Sequence, residues 1–161
     1  MHALQLLAAP TEAPGISGGQ IFGAVTAAGA ALVAGTGLVL GLKGSDWGPI
    51  KIENKKKAAW WGIVTGTIWV AAGGTWAEIA NGIGSVPPSL FGNGSDFGNP
   101  GQGAIAIFLT LLAFGPKWGS RTAPPAIIGL MAGVIYGTAG GVWGILVNVV
   151  RMLVGIITGQ G

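Results

Sequence analysis

The sequence predicts an all-α membrane protein with about four transmembrane helices that pack through glycine. Half of the 161 residues are hydrophobic and only 8% are charged, which leaves too little polar material to cover a water-facing surface. The mean hydropathy of +0.66 agrees with this. The apolar residues come in long uncharged runs, and five of the eight Lys and Arg residues fall between Lys43 and Lys57. We therefore interpret residues 1–161 as a single integral membrane domain.

The first two spans are predicted over residues 16–42 and 58–80. The first run holds no charge and exceeds the ~20 residues that a helix needs to cross a hydrocarbon core. The second run begins with Trp60 and Trp61 and has Trp76 near its other end, as expected for rings at the two interfaces of a bilayer. Residues 43–57 between them are too polar to enter a bilayer, so we predict a basic loop there.

The other two spans are predicted over residues 103–116 and 125–150, after a polar loop over 82–102 that is rich in Gly and Pro. The third run is the short one, because about 12 apolar residues rise only ~18 Å as a helix. It either crosses a locally thinned bilayer or re-enters without crossing. The fourth run is full-length, and Pro125 suits the first turn of its helix, where a missing N–H costs nothing.

The distribution of positive charge predicts the orientation. With four spans, the 43–57 loop and the turn that carries Lys117 and Arg121 lie on one side, which the positive-inside rule makes cytoplasmic. Both termini are then non-cytoplasmic, and the bacterial cytoplasmic membrane is the expected location. A re-entrant third run would move the Lys117 turn outside, which the charges disfavour. The first ten residues are short for a secretory signal, so we expect Met1 to be kept, with processing near Ala9 as the alternative.

Small residues recur every four positions in the first and fourth runs and predict faces for close helix contact. Such a face can pack helices within one chain, which we favour, or can form a subunit interface. Glycine makes up 32 of the 161 residues, so part of this spacing arises by chance. The candidate packing glycines are Gly19, Gly23, Gly35, Gly129, Gly133, Gly137 and Gly141.

Two polar pairs mark the outward ends of the second and fourth runs and form a candidate outer polar cluster. Glu78 and Asn81 are three residues apart, as are Asn148 and Arg151. Opposite charges at matching depth could pair, which lowers the cost of holding either one near hydrocarbon. A structural clamp or simple snorkelling is the favoured interpretation, and the polar mouth of a pore is the alternative.

The basic loop has a topological interpretation and several binding interpretations. Its lysines can fix the orientation of the chain, which we favour, or can contact anionic lipid, an acidic partner or nucleic acid. Nucleic acid becomes relevant only if the chain is part of a transfer apparatus. The lysines concerned are Lys43, Lys51, Lys55, Lys56 and Lys57.

Enzyme chemistry has little support in the sequence. The single histidine is His2, there is no cysteine, and the serines lie in predicted loops without a neighbouring base. The glycine-rich residues 92–101 lack both the P-loop and the GxGxxG order. We therefore expect no catalytic residue, no cofactor and no metal site.

The remaining hypothesis is a non-enzymatic integral membrane subunit of a homo- or hetero-oligomeric assembly, in contact with membrane lipid. The first 80 residues, an apolar run, a basic turn ending in Lys55-Lys56-Lys57 and a second apolar run, resemble the layout of conjugative pilins of type IV secretion systems. That resemblance implies a part in macromolecule transfer, with the three lysines facing a lumen and contacting phospholipid or DNA. Two alternatives are a small pore former of the holin type and an accessory subunit of a transporter complex.

Overall fold

A computed structural model describes residues 26–91, 101–139 and 141–158 of the chain. Seven helices make up most of these residues, and no strand occurs among them. They are α1 (Ala27–Leu42), α2 (Lys55–Ala72), α3 (Gly74–Gly84), α4 (Val86–Phe91), α5 (Gly101–Phe114), α6 (Ala123–Ala139) and α7 (Gly141–Thr158). The helical part of the predicted fold class therefore agrees with the structure.

The membrane-spanning part of that fold class is wrong, and with it the predicted location in a membrane. Among the described residues, no helix combines the length and the apolar character that crossing a bilayer requires. Residues 16–25 of the first predicted run lie outside the described residues, and residues 27–42 of it form α1. The 58–80 run is divided between α2 and α3, the 103–116 run corresponds to α5, and the 125–150 run corresponds to α6 and α7. α1 has 16 residues, α5 has 14 and α6 has 17, which correspond to about 21–26 Å of rise against a core of about 30 Å.

Glycines explain why hydropathy overestimated the lengths. The 58–80 run divides at Gly73 and Gly74, whose φ angles of 72° and 52° lie in the left-handed region that glycine adopts without steric cost. The 125–150 run is covered by α6 and α7, and position 140 between them lies outside the described residues. A hydropathy average treats Gly73 and Gly74 as mildly apolar, although the backbone ends a helix there.

The two predicted loops are also partly helical. The Asn54 side chain caps α2 by accepting a hydrogen bond from the Lys57 backbone N–H at 2.9 Å, so the lysine triplet forms the first turn of α2. In the 82–102 segment, α3 continues to Gly84 and α4 follows with Pro87 and Pro88 in its first turn, where proline is tolerated. Residues 92–100 of that segment lie outside the described part.

The core lies between α2 and α6, the most extensively packed pair of helices, and α1, α3, α5 and α7 surround this pair. Its buried side chains are small. Ala58, Ala59, Ala126 and Ala132 are fully buried along the contact, with Ile63 and Ile135 beside them. Small side chains allow the two helix axes to approach closely, which determines the position of every other helix.

Candidate functional site

An apolar pocket of about 800 Å³ lies between α1 and α2. The loop that joins the two helices closes one of its ends. Its lining includes Leu32, Val33, Thr36 and Leu40 from α1, Trp47 and Ile50 from the loop, and Trp61, Val64 and Ile68 from α2. The hydroxyl of Thr36 and the indole N–H groups of the two tryptophans are the only polar side-chain groups among these residues.

Two side chains of α2 that do not line this pocket bind the backbone of α1. Trp69 donates its indole Nε1–H to the carbonyl oxygen of Ala31 at 3.0 Å, and the buried Thr65 hydroxyl donates to that of Ala34 at 3.5 Å. The Trp69 ring also covers Gly35, where an added Cβ would lie 2.9 Å from its Cζ2 atom. At this position the Trp69 ring therefore separates the backbones of α1 and α2.

The connecting loop closes the other end by packing on a glycine of α1. A Cβ at Gly41 would collide with the Ile50 carbonyl oxygen and would lie 2.8 Å from the Ile52 side chain. The loop turns here because the backbone N–H groups of Ile50 and Lys51 both donate to the Trp47 carbonyl oxygen, at 3.1 and 2.9 Å. This turn places the Trp47 ring at the pocket with 69% of its surface exposed.

The pocket can bind an apolar molecule and has no groups for chemistry. Ligand sites typically enclose about 300–1,000 Å³ and are lined mainly by apolar and aromatic side chains, as this one is. No charged side chain lines it. Within the three described ranges, no cluster of three His, Cys, Asp or Glu residues could hold a metal ion.

The predicted basic residues gather at the end of the molecule where this loop lies. The C-terminal ends of α1 and α5 and the N-terminal ends of α2 and α6 meet there, because each pair is antiparallel and joined by a short loop. Lys55 donates its Nζ to the Pro116 carbonyl oxygen at 2.8 Å and ties the two loops together. Lys51 pairs with Glu53 at 3.2 Å, and Lys43 and Lys56 are exposed.

The residues of the predicted outer polar cluster are all exposed. Glu78 and Asn81 lie on α3, and Asn148 and Arg151 lie on α7. Neither Glu78 nor Arg151 forms an ion pair with another described residue. Asn81 lines a small pocket of about 230 Å³ together with Gln102 and Thr138.

Five of the seven predicted packing glycines lie in described helices. Gly129 and Gly133 lie on α6 so close to α2 that a Cβ would collide with the carbonyl oxygens of Ala59 and Ile63, respectively. Gly35 faces Trp69, and Gly137 is half-buried on α6. Gly141 is the first residue of α7, and Gly19 and Gly23 lie outside the described residues.

The other half of this contact was not predicted from the sequence. A Cβ at Gly62 or Gly66 of α2 would collide with the carbonyl oxygen of Ala126 or Leu130, respectively. These two glycines are four residues apart, as are Gly129 and Gly133, so the signal that identified one helix was present on the other.

Comparisons with protein-family models, with curated proteins and with solved structures find no match to this chain. The resemblance to conjugative pilins gains no support from them.

Proposed function

We propose that this chain is a non-enzymatic structural subunit that assembles with a second copy of itself through an exposed stripe on α7. The seam, as we call this stripe, consists of Ile145, Val149, Met152 and Ile156. Between 45% and 63% of the surface of each of these side chains is exposed, which is high for large apolar side chains on one helix face. This seam is the observation on which the proposal rests.

The spacing of the seam residues supports a helix as the partner. They follow one another at intervals of four, three and four, which is the spacing that keeps apolar side chains on the line of contact between two paired helices. Arg151 lies off this line, so two copies of α7 can approach each other without placing the two guanidinium groups opposite one another. Leu153, 52% exposed, widens the apolar surface beside the seam.

A second copy of the chain is the occupant that these features favour. The seam is apolar on its own, and an identical apolar seam is its complement in a two-fold contact. Burying such side chains stabilises a pair by about 25 cal/mol for each Å² of apolar surface removed from water. A second exposed apolar stripe on α5, formed by Ile107 and Leu111, offers further area for contacts between copies.

Single cysteines test the seam directly, because the natural chain has no cysteine. Met152→Cys places a thiol on the seam, and Arg151→Cys places one on the neighbouring exposed position off the seam. Mild oxidation in cells that express each variant should give a disulfide-linked dimer with Met152→Cys, seen as a doubled mass on a non-reducing gel. Arg151→Cys should give little dimer.

Equal cross-linking of both variants, or none at Met152→Cys, would reject the seam as the contact. A cross-link from Met152→Cys to a different protein would instead favour the accessory-subunit hypothesis. As a second measurement, Val149→Asp should convert the dimer to a monomer in sedimentation equilibrium, since it places two carboxylates within an apolar contact.

A further inference from the structure

We propose that the apolar pocket between α1 and α2 binds the alkyl chain of a fatty carboxylate, with the carboxylate at the basic end of the molecule. This inference is independent of the proposed assembly, which uses α7.

The size of the pocket favours occupation by an apolar group. The pocket is an open groove of about 800 Å³, and its lining side chains Leu32, Val33 and Trp47 are 56–69% exposed, which is far more contiguous apolar surface than single scattered side chains leave. Water gains little in it, because a bound water needs two to four polar partners and the lining offers almost none. An alkyl chain would supply the dispersion contacts that the lining side chains lack.

The shape of the pocket favours a chain over a compact ring system. The α1 residues that line it extend from Ala30 to Leu40, which corresponds to ~15 Å of helix rise. On the facing side, the α2 lining extends from Trp61 to Ile68. The pocket is therefore a slot that runs along the two helices. An extended alkyl chain of medium length is about as long as this slot.

The charge at one end of the slot favours a negative head group. Seven of the eight Lys and Arg residues of the chain lie at the end of the bundle that carries the α1–α2 loop, and Asp46 and Glu53 are the only carboxylates that the described residues place there. Lys43 follows the lining residue Leu40 by three positions and forms no ion pair with another described residue. Lys51 follows the lining residue Ile50 and is paired with Glu53.

The attachment of α1 allows the slot to admit a chain. Trp69 and Thr65 each donate a side-chain hydrogen bond from α2 to the α1 backbone, and neither side chain lines the slot. A second apolar pocket of about 430 Å³, lined by Leu38 and Leu42, lies on the other side of α1. Because Leu32 and Val33 of the lining are 56% and 69% exposed, a chain can enter the pocket without displacing α1.

Calorimetric titration with dodecanoate, below its micelle-forming concentration, tests the site. The double variant Val33→Phe/Val64→Phe fills the slot and should weaken binding at least tenfold, or about 1.4 kcal/mol. Val39→Phe is the matched control, because Val39 is an exposed valine on α1 that does not line the pocket. It should bind dodecanoate as the natural chain does, and circular dichroism should show that both variants keep their helix content.

Two further ligands test the head group. Dodecyltrimethylammonium should bind at least tenfold more weakly than dodecanoate, and Lys43→Gln should weaken the binding of dodecanoate while leaving that of dodecanol unchanged. Equal binding of the anionic and cationic ligands would overturn the placement of the carboxylate. Unchanged binding of dodecanoate to the slot-filling variant would overturn the site itself.

Fluorescence quenching gives a second test that needs no slot-filling variant. Bromine on C2 of dodecanoate should lie near Trp47, whereas bromine on C12 should lie deeper between the helices. Replacing Trp47 with Phe should therefore reduce quenching by 2-bromododecanoate much more than quenching by 12-bromododecanoate. Equal reduction would contradict the proposed orientation, and the absence of quenching by either ligand would contradict binding in the slot.

Discussion

Two helix contacts in this protein use α2 in opposite ways. On one face, Gly62 and Gly66 meet the backbone of α6, and Gly129 and Gly133 of α6 meet the backbone of α2 in return. On another face, Trp61 and Trp69 stand between α2 and α1, and a large apolar pocket lies beside them. The same helix thus forms a closely packed contact and an open one, and the side chain at each contact position decides which.

Glycine and tryptophan therefore have different roles at the helix contacts of this protein, which has few charges. Glycine removes the side chain and lets carbonyl oxygens of the neighbouring helix occupy its place, which gives dense packing. Tryptophan fills part of a wider gap and donates a hydrogen bond across it, as Trp69 does to Ala31. The dense contact defines the fold, and the open contact leaves room for a ligand.

The largest expected effect comes from adding a methyl group to the dense contact. In Gly66→Ala the new Cβ would collide with the Leu130 carbonyl oxygen, which is backbone and cannot rotate away. Overpacking of this kind costs roughly 1–3 kcal/mol, and we expect a net loss of about 2 kcal/mol in the free energy of unfolding. Denaturant titration followed by circular dichroism measures it.

The matched control for that change is Gly82→Ala. Gly82 lies inside α3, is exposed, and has nothing within 4 Å of an added Cβ. Alanine is favoured over glycine inside a helix by roughly 1 kcal/mol, so this variant should be as stable as the natural chain or more stable. Equal destabilisation by the two substitutions would show that the backbone contact is not the cause.

A smaller and local effect is expected at the open contact. Trp69→Phe keeps most of the ring but removes the hydrogen bond to the Ala31 carbonyl oxygen, worth ~1 kcal/mol. We expect the amide hydrogens of α1 to exchange faster, with little change for those of α6. A uniform increase over both helices would mean that α1 unfolds only with the whole molecule.

The smallest effect is expected for Gly37→Ala, the counterpart of Gly66→Ala on α1. The added Cβ would lie 3.5 Å from the Trp61 ring and 3.6 Å from the Ile50 side chain, which is ordinary van der Waals contact. The variant should differ from the natural chain by less than about 1 kcal/mol, and its sign should be stabilising because of helix propensity. A loss as large as that of Gly66→Ala would remove the distinction between the two contacts.

Hydropathy and spacing predicted some of these features and missed others for physical reasons. The helical character and the basic turn could be identified because both follow from local residue types. The break at Gly73–Gly74 could not, because a hydropathy average does not register the backbone angles that end a helix there. The second predicted span, 58–80, failed for this reason.

The candidate site was less accessible to sequence reasoning than the glycine contact. The spacing of Gly62 and Gly66 could have revealed that α2 has a smooth face, since the same spacing was recognised at Gly129 and Gly133. The pocket could not be found this way. Its volume depends on how far the Trp61 and Trp69 rings hold α1 from α2, and that distance follows from contacts between residues more than 20 positions apart.

Amide hydrogen exchange under native conditions, read by mass spectrometry, tests the contrast between the two contacts most directly. Regions with few packed contacts open locally, whereas a dense core exchanges mainly through global unfolding. We predict that the amides of residues 35–40 in α1 exchange roughly tenfold or more faster than those of residues 129–134 in α6. Equal protection of the two segments would contradict the account, because α1 would then be as firmly packed as the glycine contact.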